Sequence, residues 1–474
     1  MLLLCMAVTV FASCSGGDTG SADTSAQAGE TTAAETEAPL KNFEGKTFCI
    51  FTSADDVMVP IWYYGATEEN GDILNDAVYK RNREIAEAYN VDLTFFGYTT
   101  DPGNSTGSDV AQKIEESILA GDDQYQLMAT HMHQGSVQLL TAGYLANLLD
   151  LNLPLDEPWY NQSINENLEI NNYLPAIVSD FNITSQIFTF ALIFNKDMVN
   201  KFGLDMPYTM VRDGSWTMDG FADYIKVAAA DVDGNGVFDE NDSYGYAGNT
   251  GISMQGFFYG AGLKFVELEN DKPVIKLQEE KFATFYEKVY SLYKDDNKTY
   301  LIKKVDDVCP IPFDSGRIMF ISVRLRLLDS YRDVTDFGIV PYPKYDEKQD
   351  NYYSYTDARG AMTMMPITNT DFEGTGILLD ALSKRSREDV VPVYRETVLE
   401  SKYARDEDSL EMLNIIFDNR VFDFGYVYRT NPLTFATYSI YNSGKEPASY
   451  IASNIEAAQV HFDAITEAYM TYGK

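Results

Sequence analysis

The sequence is poor in histidine, tryptophan and cysteine, with 3, 3 and 4 of them in 474 residues, and its 36 Lys and Arg face 72 Asp and Glu. Each shortage excludes something. His131 and His133 in "HMH" fall on one strand face, as a metal pair requires, but a closed zinc site needs at least one further ligand. A formal net charge of −36 opposes a nucleic-acid or anionic-lipid partner across any wide contact. Apart from Cys5 and Cys14, only Cys49 ("TFCIF") and Cys309 ("DVCPI") remain, and their apolar contexts read as free thiols rather than a disulfide framework. No stretch approaches the roughly 20 apolar residues of a spanning helix. A Ser nucleophile elbow, HExxH, CxxC and a Gly-rich phosphate loop are all missing, as is any internal repeat. Carboxylates are so numerous that a glycosidase pair cannot be read without geometry. The expectation is a binding protein, not an enzyme.

What is present is a long, ring-rich chain. Its length predicts two lobes, and 33 Tyr and 27 Phe supply enough rings for a core and a ligand surface. The opening "MLLLCMAVTVFASC" is a short apolar run ending in small residues, the pattern of a secretory leader over 1–13. Phe11-Ala12-Ser13-Cys14 resembles the lipobox of bacterial lipoproteins, which implies acylation of Cys14. Residues 14–41 then form a tether of Gly, Ser, Thr, Ala and acids that cannot bury enough apolar surface to order itself. The expected location is the outer face of the cell membrane, with the membrane touched only through the lipid.

Beyond the tether, strand and helix patterns alternate. "KTFCIFTS" (46–53) reads as a strand, "DILNDAVYKRNREIAEAYN" (72–90) as an amphipathic helix, and "VDLTFFGY", "DVAQKIEESILAG" and "YQLMATHM" repeat the cycle. This alternation predicts an α/β fold with parallel strands and ligand loops at their carboxyl ends. "QIFTFALIFNKDMVNKFGL" (186–204) is a strand entering a helix, Thr217 is an N-cap, and further helices are expected over 279–294 and 376–402.

Four segments in order, "ALIFNKDMV", "WTMDGFADYIKVA", "DSGRIMF" and "FGIVPYPKYDEKQDNYY", resemble the extracellular solute-binding proteins of family 1, the maltose-binding-protein-like receptors of ABC importers. The resemblance covers most of 42–474. It implies a type II periplasmic-binding-protein-like fold: two interleaved α/β lobes joined by a hinge, crossed near Ile183, Phe313 and Tyr353. Lobe 1 would be 42–182 plus 314–352, and lobe 2 would be 183–313 plus 353–474. The implied role is a monomeric receptor that captures a solute, an oligosaccharide by the abundance of rings, and delivers it to an ABC permease. Rival readings are a receptor for peptides or charged solutes, a secreted glycoside-cleaving enzyme, and a calcium-stiffened adhesion module.

Such a receptor needs rings to stack on sugar faces and fixed polar groups to grip hydroxyls. Strand-end and crossing loops offer Asp55, Asp56, Trp62, Tyr63, Tyr64, His131, His133, Asp180, Phe181, Arg324, Tyr353, Tyr355 and Asp357, with Trp216 assigned to packing. One motif is more legible than these. "DVDGNGVFDEND" sets Asp231, Asp233, Asn235, Asp239 and Asp242 at positions 1, 3, 5, 9 and 12 of a calcium loop, with Gly236 at the turn and the Val237 carbonyl at position 7. An acid shorter than Glu at position 12 and no helical pattern after the loop make the expected ion structural rather than a switch.

Overall fold

The apolar runs become strands that gather into two mixed sheets. The computed structural model describes residues 40–54, 59–100, 107–294, 298–303, 309–331, 336–400, 406–430 and 432–473. Cys14, Asp55 and Asp56 lie outside the described residues. The strands are β1 (Thr47–Ala54), β2 (Asp92–Thr99), β3 (Leu127–His131), β4 (Phe190–Asn195), β5 (Tyr244–Gly248), β6 (Val266–Glu269) and β7 (Lys272–Ile275). They continue as β8 (Thr299–Leu301), β9 (Ile318–Arg324), β10 (Phe337–Val340), β11 (Ser354–Tyr355), β12 (Ala361–Met364) and β13 (Arg420–Val421).

The first sheet has the order β12-β3-β1-β2 and the second β10-β4-β9-β5-β8, while β6-β7 and β11-β13 are ribbons. In the first, β1 pairs parallel with β2 and β3, and β12 closes antiparallel on β3. In the second, β5 lies parallel to β8 and β9, and β4 antiparallel to β9 and β10. Every residue of β3 and β4 is buried, the pattern of strands covered on both faces.

Local signals fix the helices. Asp72 accepts the N–H groups of Leu74 and Asn75 to start Ile73–Tyr89, and Asn90 ends that helix in the left-handed region. Thr217 caps Met218–Ala228 through the Gly220 N–H. Trp216, just before it, is fully buried, donates its indole N–H to the Pro341 carbonyl at 2.9 Å and meets the Phe221 and Tyr224 rings edge-on at 5.8 Å. The helix Phe372–Arg385 runs on in wider, π-helical turns over Ser386–Val390 and Val393–Glu400. No helix among the described residues is long and apolar enough to cross a membrane.

The chain leaves the first sheet over Ile183–Thr189 and returns over Ser354–Gly360. Strand pairing corrects the expected partition at two points. Strands on both sides of Phe313 belong to the second sheet, because β9 registers on β4 and β5. Residues 314–352 therefore stay with the second lobe instead of lobe 1, and Phe313 packs on Tyr331 and Phe337 rather than marking a crossing. Ala361–Met364 conversely joins the first sheet through β3, although 353–474 was expected in lobe 2.

Candidate functional site

The carboxyl ends of both sheets meet at one short segment, Tyr355–Gly360. Just past β3, the Met132 N–H donates to the Ala358 carbonyl at 2.8 Å. At the end of β9, Arg324 pairs with Asp357 at 2.5 Å, and the Asp357 N–H donates to the Phe188 carbonyl at 3.1 Å. Strand ends of both lobes are thus tied to the same few residues, and in open α/β sheets the crevice outside those ends is where ligands bind.

The side chains here form a ring-lined polar cluster. Arg324 and Asp357 are almost wholly buried, with side-chain exposures of 0% and 3%, and the guanidinium lies over the Phe188 and Phe190 rings at 5.9 and 5.5 Å. Tyr355 stacks on Phe190 and on Tyr259, both at 5.4 Å, and its hydroxyl is 2.5 Å from that of Tyr426. The Tyr426 hydroxyl also accepts the Ala358 N–H at 3.0 Å. Burial raises both phenols far above their ordinary range, so they remain hydrogen-bond donors at any physiological pH.

His133 completes the cluster. Its Nε2 is 2.6 Å from the Tyr426 carbonyl, which fixes Nε2 as the donor and leaves Nδ1 facing Arg429 at 3.5 Å. Although part of its surface stays accessible, the ring lies edge-on to Tyr426 at 4.6 Å and Phe435 at 6.4 Å. Burial, seconded by the Arg429 charge, pushes its pKa down to about 3, so the imidazole is neutral. Asp357 is committed to Arg324.

Of the candidates read from the sequence, Arg324, Asp357, Tyr355 and His133 converge here, and His131 stands beside them at the end of β3, its N–H on Ser53 Oγ at 2.9 Å. Others do not. Tyr63 and Tyr64 are buried in the short helix Trp62–Gly65, and the Tyr64 carbonyl is occupied by Arg81 and Asn82 at 2.8 and 2.9 Å. Trp62 is half-buried against Tyr63 at 4.5 Å. Phe181 lies under the buried Arg81 guanidinium at 5.3 Å, and Tyr353 packs on Gly262 in the second lobe. Asp180 turns to the other face of the crossing segment, toward Gln186 and Arg387. Sequence reading missed Tyr426, Arg429, Phe188 and Tyr259. "FGYVYR" looks like plain core sequence, and its place across from "HMH" depends on contacts nearly 300 residues apart in the chain, 293 for His133 and Tyr426.

The acidic loop is held separately, before β5 and so at the amino end of that strand. Paired hydrogen bonds between Ala230 and Ser243, both 3.0 Å, close its neck. Carboxylate oxygens of Asp231, Asp233 and Asp242 lie within 4.8 Å of one another. Gly236 takes the positive φ of 78° that the sharp turn requires. Asp231 accepts the Gly234 and Gly236 N–H groups, and Asp242 those of Val232 and Asp239, which hold its carboxyl below the ordinary range. Asn235 Oδ1 is engaged by the Val237 N–H and Asp239 by that of Asn241.

No protein-family model matches the sequence, and no curated protein is detectably related to it by sequence. Solved structures are informative. The glycerophosphocholine complex of UgpB from Mycobacterium tuberculosis matches with a TM-score of 0.56 at 15% identity, covering 87% of this chain and 98% of that one. An ABC substrate-binding protein of Listeria monocytogenes in complex with cycloalternan matches at 0.53 and 12% identity, over 89% of this chain and 98% of that one. The fold is that of a type II periplasmic binding protein. A third such protein, the cyclic alpha-maltosyl-1,6-maltose binding protein of Arthrobacter globiformis, matches at 0.51 and 15% identity over 90% of this chain and 99% of that one. The two crossing segments, Ile183–Thr189 and Ser354–Gly360, frame the Arg324–Asp357 cluster.

Proposed function

We propose that the protein is an extracellular solute-binding lipoprotein that captures a solute between its two lobes and hands it to an ABC permease. The observation that carries this reading is the meeting of both sheets' strand ends on Tyr355–Gly360, within a type II binding-protein fold. Solute touching both lobes at once favours the closed arrangement by its differential affinity, and no covalent step is needed. The oligosaccharide assignment is supported by the Listeria protein in complex with cycloalternan and by the Arthrobacter protein named for binding cyclic alpha-maltosyl-1,6-maltose. Calorimetric titration with oligosaccharides, polyols, glycerophosphodiesters and peptides decides the class. Heat from one or more oligosaccharides supports the assignment, whereas heat only from peptides or phosphodiesters replaces it.

Two further parts of the reading have their own tests. Cys14 is proposed to carry the lipid that holds a monomer at the outer face of the cell membrane. Cys14→Ser should then release the protein into the medium, and retention at the membrane would count against it. The loop Asp231–Asp242 is proposed to hold a structural calcium ion on Asp231, Asp233 and Asp242, with Asn235, the Val237 carbonyl and Asp239 completing the set. Millimolar calcium should raise the melting temperature and EDTA reverse it, and an Asp233→Asn chain should respond less; no calcium response at all would end this assignment.

A further inference from the structure

Beside the crossing segment, lined by its Asp180 and Ser185, lies a cavity of about 300 Å³. Three arginines converge on it in a chain whose net charge is −36. Arg420 is buried at 8% exposure and donates to the Phe417 carbonyl and Ser185 Oγ, both at 3.0 Å. Arg395 gives Nε to Gln186 Oε1 at 2.9 Å and stacks over the Phe417 ring at 4.3 Å. Arg387 reaches Asp180 at 3.4 Å.

The charges do not balance inside. Asp180, at 5% exposure, is the one buried carboxylate lining the cavity, and Asp418 at the rim is exposed. Each guanidinium has about five N–H donors. Among the described residues the hydrogen bonds above engage one donor on Arg387, one on Arg395 and two on Arg420, which leaves donors on all three that these bonds do not use. Crowding is felt in the protonation equilibria as well. Burial, together with the neighbouring guanidiniums, pushes Arg420 down to about 10 and also lowers Arg395. Converging, under-used arginine forks in a partly closed cavity match the bidentate geometry of oxyanions.

The geometry points to a second binding site here, for a small oxyanion, free or carried as the phosphate or carboxylate of a small metabolite. Arg387, Arg395 and Arg420 grip the anion, while Tyr160, Asn161 and Ser163 line the polar wall a carrier molecule would meet. The site is independent of the solute cleft. Arg420 sits in β13 beside Ser354 of the returning crossing, so an occupant also touches the hinge ribbon.

The test uses the full chain and follows its melting temperature against inorganic phosphate, glycerol phosphate and citrate, with chloride at matched ionic strength as the reference. Saturable stabilisation is expected from one or more of the three, and the stronger response distinguishes a free anion from a carried one. Arg395→Gln and Arg387→Gln should each weaken it about tenfold or more, while Lys348→Gln, an exposed cation elsewhere, should leave it intact. Equal responses to chloride and the oxyanions, or responses unchanged in both arginine variants, would overturn the site. Competition between phosphate and a bound oligosaccharide would overturn its independence. Because the readout needs no sugar, failure of the oligosaccharide assignment leaves it untouched.

Discussion

Protonation of His133 gives a number that can be worked from the structure. The ring is neutral in the folded protein, with its pKa pushed down to about 3, against roughly 6.5 in an unfolded chain. A group depressed on folding contributes stability that is complete above the unfolded value and is lost as pH falls toward the folded one. Between pH 7 and pH 5 the loss is RT ln[(1 + 10^1.5)/(1 + 10^−0.5)], about 2 kcal/mol. Of the groups facing the ring, Arg429 opposes its protonation most, the Tyr426 carbonyl and Asp357 favour it, and His131 opposes it least. His133→Gln removes the titration while keeping a donor for the Tyr426 carbonyl. For residues 41–474, an unfolding entropy of about 2 cal/mol/K per residue sums to roughly 0.9 kcal/mol/K, so the loss amounts to about 2 °C. Differential scanning calorimetry at both pH values should show the native sequence losing about 2 °C more than the variant. Equal losses in the two proteins would refute the buried neutral imidazole.

Other perturbations follow from particular contacts. Asp357→Asn strands the buried Arg324 charge and should cost about 3 to 5 kcal/mol, seen as a lower melting temperature, with Arg324→Met plus Asp357→Leu recovering most of it. Trp216→Ala removes a fully buried ring and its N–H bond to Pro341, for an expected loss of about 3 to 5 kcal/mol by chemical denaturation. Burial pushes the Cys309 thiol up to about 11 and also raises Cys49, so a thiol reagent at pH 8 should label residues 41–474 slowly until denaturant is added. Immediate labelling of both under native conditions would contradict a buried Cys309 and a half-buried Cys49.

Local chemistry was legible in the sequence and long-range pairing was not. Asp72 and Thr217 cap helices because a side-chain oxygen two or three residues from an orphan N–H needs only local geometry. The strand periods of "KTFCIFTS" and "YQLMATHM" are equally local, and both became strands of the first sheet. Whether 314–352 sits in one lobe or the other depends on β9 choosing β4 and β5 as neighbours, a choice no period of 2 or 3.6 records. The same limit separates the site residues. Arg324 and Asp357 sit at the ends of elements and were singled out for that reason, whereas Tyr426 is drawn to His133 by the packing of a short helix far along the chain. Tyr64 lies against Phe181 at 6.4 Å, and a ring in a strand-end loop is indistinguishable, in sequence, from one folded back in this way.

The central claim is capture between two lobes, and small-angle scattering before and after addition of a calorimetrically identified solute tests it most directly. Closure predicts a measurable fall in the radius of gyration that saturates at the same concentration as the heat of binding. Saturating heat with an unchanged radius of gyration would contradict capture by hinge closure.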